Sequence, residues 1–350
     1  MSSTTGTLLT AVALSGALAA GFQEPRQPRY VERVDVSRVV VDVRVLDDRG
    51  NPIVDLTADD FKVKIDGKPV RVESARWVGD SEPPVVEEER LVSASPLRDH
   101  PPSPGRLIVF LFQKDMEAHR IVGLMQMLIQ ARGFLETLTP DDRVAILSFD
   151  SHLKVWVDFT NNLERLARVL KHGILFERPP PVHEAVTNSL VARLAPAAGR
   201  RTYNIEKGLR LIAEALEPLP GSKSLVLFGH GFGRFSRGMT LETSTVAMEN
   251  GYEETVKALL ASRTSVFSLD VTKADYHSLE VGLQLVSEQT GGFYARTHIF
   301  PELAMRNLAG ALAGYYVLLV EKPTRAPRTH DIKVELTRRK GNVLARSGFE

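Results

Sequence analysis

Leu107-Ile108-Val109-Phe110-Leu111-Phe112, running straight into Gln113-Lys114-Asp115-Met116-Glu117-Ala118-His119, is the stretch on which the fold turns. Six consecutive apolar residues leave no polar face. Such a run fits a strand buried on both sides, as in a parallel sheet covered by helices. The polar segment after it marks the carboxyl end of that strand, where open α/β sheets collect their binding loops. Downstream the period alternates. Ile121 to Leu138 carries apolar residues at 121, 124, 125, 128, 135 and 138, one face of a helix. Strands are expected at Arg143–Phe149, Leu153–Phe159, Ser224–Phe228 and Ser265–Val271. Helices are expected from an Asn161 or Asn162 cap through Leu170, and over 204–216, 252–262, 278–289 and 302–313, with Gly291-Gly292 as a C-cap pair. Phe176 to Gly199 is a proline-bearing excursion. Over 106–314 the pattern predicts an α/β domain with a doubly wound, mostly parallel sheet.

The flanks read differently. Val34 to Leu46, Asp59 to Ile65 and Val70 to Val78 are β-branched or alternating runs. They are separated by turn residues at 47–52 and by the hairpin pair Asp66-Gly67. Residues 30–78 therefore form an antiparallel β module with too few strands to close a core alone. Residues 79–105 hold six of the chain's 20 prolines and the acidic run Glu87-Glu88-Glu89, and read as a linker. Tyr315–Val320, Asp331–Thr337 and Val343–Phe349 return to strands, with Lys340-Gly341-Asn342 as a turn; Tyr315-Tyr316 is expected to pack between domains. Pairing 315–350 with 30–78 would cover an apolar face on each. The expected architecture is an α/β domain inserted in a β-sandwich built from both chain ends.

Composition narrows the chemistry. The 350 residues carry 44 Lys+Arg against 43 Asp+Glu, a net charge of +1, and no cysteine. Disulfides, cysteine metal sites and thiol nucleophiles are excluded. Near-neutrality argues against nucleic acid as a partner, which needs clustered positive charge. Residues 1–23 contain no charged side chain, and Leu8 to Ala20 is an apolar run ending near the small-x-small site Ala17-Leu18-Ala19. Thirteen residues are too few to span a bilayer, which takes about 20. Residues 1–20 read as a secretory signal whose n-region lacks Lys or Arg. No later stretch is long and apolar enough for a membrane helix. The expected location is the periplasm, cell surface or medium.

Four central segments occur in a fixed order: LIVFLFQKDMEAH, LTPDDRVAILSFD at 138–150, KSLVLFGHGFG at 223–233 and TSVFSLDV. This order resembles a von Willebrand factor type A domain. VLDDRGNPIVDLTADDFKVKIDGKPVRVESARWV at 45–78, SEQTGGFYAR at 287–296, and GYYVLLVEKP with the later LARSGF look like the flanks of the von Willebrand factor A-related family common in acidobacteria. The resemblance covers roughly 34–350. It implies a site in which Asp-x-Ser-x-Ser after the first strand, a second-loop Thr and an Asp after a later strand hold a metal, usually magnesium, that also accepts a partner's carboxylate.

This sequence departs from that pattern. Gln113, Asp115 and Glu117 take the Asp, Ser and Ser positions, Thr202 that of the second-loop Thr, and His230 that of the later Asp. Three readings stand: a degenerate site that has lost its metal, weak Mg²⁺ or Ca²⁺ binding through Asp115 and Glu117, or a transition metal on Asp115, Glu117 and His230. Gly229-His230-Gly231-Phe232-Gly233 has the spacing of a nucleophile elbow but Gly231 at its centre, so it reads as a strand-to-loop turn. His119, His152, His172 and His183 form no i, i+4 pair and read as surface residues. Asp141-Asp142 reads as turn chemistry, and Asp270 as a residue that holds a loop. Arg200, Arg201, Arg234 and Arg237 lie in loops at the same edge and suit an acidic partner side chain. The expected function is a non-enzymatic protein-interaction or adhesion module. It would bind an unknown protein through 113–119, 200–204 and 229–238, with Gln113, Asp115, Glu117, Arg201, Thr202, His230 and Arg234 as face residues and with no cofactor. The alternative is a metal-dependent enzyme or metal-binding protein using Asp115, Glu117 and His230.

Overall fold

Alternation along the first strand builds the smaller core. β1 (Arg38–Leu46) turns Val39, Val41, Val43 and Val45 inward. The structure, a computed structural model, describes residues 38–79, 105–185, 188–194, 199–236, 245–322 and 330–349. The described residues all lie in one unit, Val36–Glu350. The expected leader, the first four residues of the strand read from Val34, and the linker apart from Gly79 and Gly105 fall outside them. β2 (Phe61–Ile65) and β3 (Lys68–Val70) are joined by Asp66-Gly67, both at positive φ, the two-residue turn that suits hairpin twist. The single strand read over Val70–Val78 is instead broken at Arg71. There the chain leaves β2's sheet and enters a second one as β4 (Val72–Gly79).

The central unit follows: β5 (Leu107–Gln113), α1 (Ala118–Phe134), β6 (Arg143–Phe149), β7 (Leu153–Thr160), α2 (Leu163–Arg168), α3 (Ile205–Leu216), β8 (Lys223–Gly229), β9 (Arg234–Ser236), β10 (Thr245–Ala247), α4 (Tyr252–Ala261), β11 (Thr264–Asp270), α5 (Glu280–Thr290), β12 (Tyr294–Arg296) and α6 (Pro301–Leu312). Its six-stranded sheet has the order β12-β11-β8-β5-β6-β7. The sheet is parallel except for β7, which returns beside β6 as an antiparallel edge. β5 divides its residues between two cores. Ile108, Phe110 and Phe112 pack with α1 and α6, whereas Val109 and Leu111 pack with α3 and α5. Each such side chain contributes about 2 kcal/mol on burial, which is why the uninterrupted run sits at the centre. β12, only three residues long, gave no periodic signal. Asn162 and Asn204 cap α2 and α3 through their side-chain oxygens, accepting from the N–H groups of Arg165 and Lys207.

The chain then returns to the small sheets through β13 (Gly314–Glu321), β14 (His330–Leu336), β15 (Asn342–Ala345) and β16 (Gly348–Phe349). One sheet runs β15-β1-β13-β4 and the other β16-β14-β2-β3. The expected strand Val343–Phe349 is therefore two short strands in different sheets. Phe61, Val63, Ile65, Leu318, Val320 and Ile332 share one core with the valines of β1. Tyr316 lies inside that core, edge-on to Phe61 and Trp77, and its hydroxyl donates to the Ile53 carbonyl at 2.9 Å. Tyr315 alone faces the central unit, beneath the guanidinium of Arg44.

Candidate functional site at the carboxyl edge of the sheet

From β5 the chain moves on to β6, and from the neighbouring β8 it moves on to β11, on the opposite side of the sheet. The crevice at the carboxyl ends of β5 and β8 is therefore the topological switch point. An open cleft of about 620 Å³ lies there, lined by Gln113, Lys114, Asp115, Met116, Phe149, Asp150, Ser151 and His230. Gln113 is 7% exposed, and its amide spans the crevice. Its Nε2 donates to the Gly231 carbonyl at 2.9 Å, and its Oε1 accepts from the His230 backbone N–H at 3.0 Å. Gly231 and Gly233 sit at φ +105° and +113°, and a Cβ on Gly231 would lie 2.5 Å from the Leu279 carbonyl. The glycines of this loop thus serve a tight turn.

Asp115 accepts from the Glu117 N–H at 3.0 Å and from Nη1 of Arg120. Burial opposes its ionisation, but these two donors hold its pKa below the ordinary carboxylate value. Arg120, on the first turn of α1, had no marker in the sequence reading. It places a guanidinium inside the site. His230 Nε2 is 3.8 Å from the Asp115 carboxylate, beyond hydrogen-bond range, and its Nδ1 is buried without a partner among the described residues. Burial and then the Arg120 charge push the His230 pKa down to about 4, so the ring is neutral at physiological pH. Glu117 faces His119 at 3.3 Å and does not line the cleft.

The remaining edge residues are dispersed. Thr202 is fully buried with its methyl near the Gly208 position, and Arg200 and Arg201 are exposed. Arg234 pairs with Glu249 at 3.4 Å. Arg237 lies outside the described residues. None of Thr202, Arg201 and Arg234 lines the cleft. Asp150 does: burial raises its pKa, but Lys154 and the Ser151 N–H outweigh that and bring it down to about 2. Lys114 has no ion-pair partner among the described residues. Asp142 holds the Thr139 N–H and Arg106, as turn chemistry requires.

A second polar group lies at the end of β11. Asp270 accepts from the Thr272 N–H at 2.9 Å, contacts His277 Nε2 at 2.7 Å and accepts from the Tyr294 hydroxyl at 2.9 Å. That hydroxyl is also 3.0 Å from Glu280, which Arg296 clamps. Among the described residues, Asp270, His277 and Glu280 form the one group of three whose ligand atoms all lie within 4.8 Å of one another; Asp115, Glu117 and His230 are not such a group. A strand-terminal Asp followed seven residues later by His, and three after that by Glu at a helix start, was the available sequence signal.

The fold is thus a doubly wound, mostly parallel α/β sheet carrying a loop-lined crevice at its switch point. No protein-family profile matches the chain. No curated protein matches it at the sequence level. Among solved structures, it is similar to proximal thread matrix protein 1 of the mussel byssus, at 14% identity and TM-score 0.39 over 60% of this chain and 48% of that one. A von Willebrand factor type A protein from Catenulispora acidiphila is similar at 9% identity and TM-score 0.42, over 83% and 72%. The von Willebrand factor domain of the type V pili tip protein Mfa5 from Porphyromonas gingivalis is similar at 11% identity and TM-score 0.38, over 59% and 94%. This chain therefore spans about half the length of the byssus protein. Each of these scores is below 0.5, so the class of fold rests on strand order and the chemistry on the side chains themselves.

Proposed function

We propose that this chain is an exported, non-enzymatic binding module of the von Willebrand factor A-related kind, with its α/β domain set in a β-sandwich formed by 30–78 and 315–350. A partner protein docks on the carboxyl edge of the central sheet without a metal ion. The observation that carries this reading is a row of exposed apolar side chains beside Lys114, which has no ion-pair partner among the described residues. Met116 is 73% exposed at the cleft, and Val122, Met125 and Ile129 follow along the outer face of α1 at helical spacing. Phe300 and Leu303, at the start of α6, are exposed as well, and Glu302 between them accepts from Gln130 of α1 at 3.4 Å. Contiguous exposed apolar surface on a folded domain marks an interaction site. Lys114, at its cleft end, suits an acidic group on the partner. Independence from metal is supported by Arg120, whose fixed positive charge already engages Asp115, and by Gln113, whose amide is engaged by the loop backbone.

The test is capture of envelope proteins on the immobilised full chain, with and without EDTA. The reading expects a specific partner retained in both conditions and lost with Lys114→Glu/Met116→Asp. Retention by that double variant would sink the docking face. Loss on adding EDTA would sink metal independence.

A further inference from the structure

The polar group at the end of β11 goes beyond that reading. Asp270 closes the strand, His277 lies in the following loop, Glu280 opens α5, and Tyr294 reaches in from β12. Asp270 and Glu280 are each 2% exposed, and the His277 side chain is 18% exposed. We infer that these four side chains form a site for a divalent transition-metal ion, with Zn²⁺ as the best fit.

Donor chemistry comes first. One imidazole, two carboxylates and a phenol suit a borderline ion, whereas Ca²⁺ and Mg²⁺ need six or more oxygens. Spacing agrees. Zinc bonds of 2.0–2.2 Å place neighbouring tetrahedral ligands about 3.3–3.6 Å apart. The separations here are 2.7 Å from His277 Nε2 to Asp270 Oδ2, 2.9 Å from Tyr294 to Asp270, and 3.0 Å from Tyr294 to Glu280. The ion would enter as these contacts open by about 0.3–0.9 Å.

Charge points the same way. Arg296 reaches Glu280 at 2.7 Å from the solvent side and is 42% exposed, whereas the one ion-pair partner of buried Asp270 among the described residues is His277 at 2.7 Å, a ring that offers a positive charge only when protonated and a lone pair for a metal only when neutral. A buried carboxylate is costly without a compensating cation. The supports of a metal site are present as well. The Thr272 N–H orients Asp270 and Arg296 orients Glu280, the kind of outer contact that fixes metal ligands. Thr272 Oγ1 is buried with no hydrogen-bond partner among the described residues. On binding, His277 presents the Nε2 lone pair with its proton on Nδ1, and Tyr294 coordinates as the neutral phenol or releases its proton to solvent.

The experiment uses the full chain stripped with chelator. Zinc chloride is titrated calorimetrically, and Co²⁺ absorption reports coordination. One equivalent of Zn²⁺ per chain is expected, with a raised Tm. Affinity should fall about a hundredfold or more in His277→Ala and in the isosteric Asp270→Asn, and stay unchanged in Asp115→Ala. Circular dichroism checks that each variant is folded, and Asp270→Asn decides the matter if His277→Ala is not. Absence of zinc binding by the wild-type chain overturns the inference. So does undiminished binding by a folded variant at 270 or 277, or loss of binding in Asp115→Ala.

Discussion

Gln113 is a residue whose chemistry the crevice dictates. The loop after β8 turns one N–H and one carbonyl toward β5, and an amide is the side chain of that length that both donates and accepts. Replacing it with Leu would keep the volume and leave the His230 N–H and the Gly231 carbonyl without partners. An unsatisfied buried group costs about 1–3 kcal/mol, so Gln113→Leu should lose about 2–4 kcal/mol in urea unfolding. An unchanged midpoint would show that water replaces the amide. The position of this residue was legible because a strand's last residue can be counted from its apolar run. Its partners were not, because they are backbone groups more than a hundred residues away. Arg120 was hidden for a related reason. Helical periodicity marks the buried face of α1, and Arg120 is polar and belongs to the first turn, where the site and not the core selects the residue.

At the scale of the element, α1 owes its position to one close approach. A Cβ on Gly123 would lie 1.8 Å from the Val271 carbonyl, just past the end of β11, whereas a Cβ on Gly133 of the same helix meets nothing within 4 Å. Alanine favours a helix interior over glycine by about 1 kcal/mol, so propensity alone predicts the same gain at both sites. Packing reverses one of them. Gly133→Ala should gain about 0.5–1 kcal/mol in denaturant unfolding. Gly123→Ala should lose about 2 kcal/mol or more, because a rigid backbone carbonyl cannot yield. Equal effects at the two sites would refute the close approach. Long elements with strong periodicity were readable from the chain: β5, α3 (although Asn204, read as its first residue, is its cap), and α5 with its Gly291 stop. β12 and β16 were not, since two or three residues cannot display a period. The break at Arg71 was invisible too, because a β-rich run does not say where it changes sheets.

At the scale of the whole molecule, the described small sheets and the central sheet are joined by two cations, buried Arg44 and half-buried Arg263. Arg44, on β1, donates to the Ala311 carbonyl at the carboxyl end of α6 and to Ser265 on β11, and lies over the rings of Phe267 and Tyr315. Arg263, at the foot of β11, pairs with Asp42 of β1 at 2.9 Å. Alternation could show the inward valine face of β1 but not that Asp42 and Arg44 on its opposite face would find partners, because the pairing groups come from α6 and β11. Lys223, at the start of β8, is 2% exposed and donates to the Leu219 and Gly221 carbonyls. Burial, and then the charge of Arg263, push its pKa down to about 8 from 10.5. Below pH 8 the folded and unfolded chains both hold this proton, and the folded state bears the full cost of burying it. Between pH 8 and 10.5 the unfolded chain holds more protons, so the free energy of unfolding contributed by this group rises with pH. A gap of that size corresponds to roughly 3 kcal/mol. Other groups titrate in the same range, so the measurement is a difference. The stability of the wild-type chain relative to Lys223→Met, followed by urea unfolding, should increase steadily from pH 8 to 10.5 and be flat from pH 6 to 7.5. Parallel curves across that range would mean that Lys223 keeps an ordinary pKa and reaches water despite its burial.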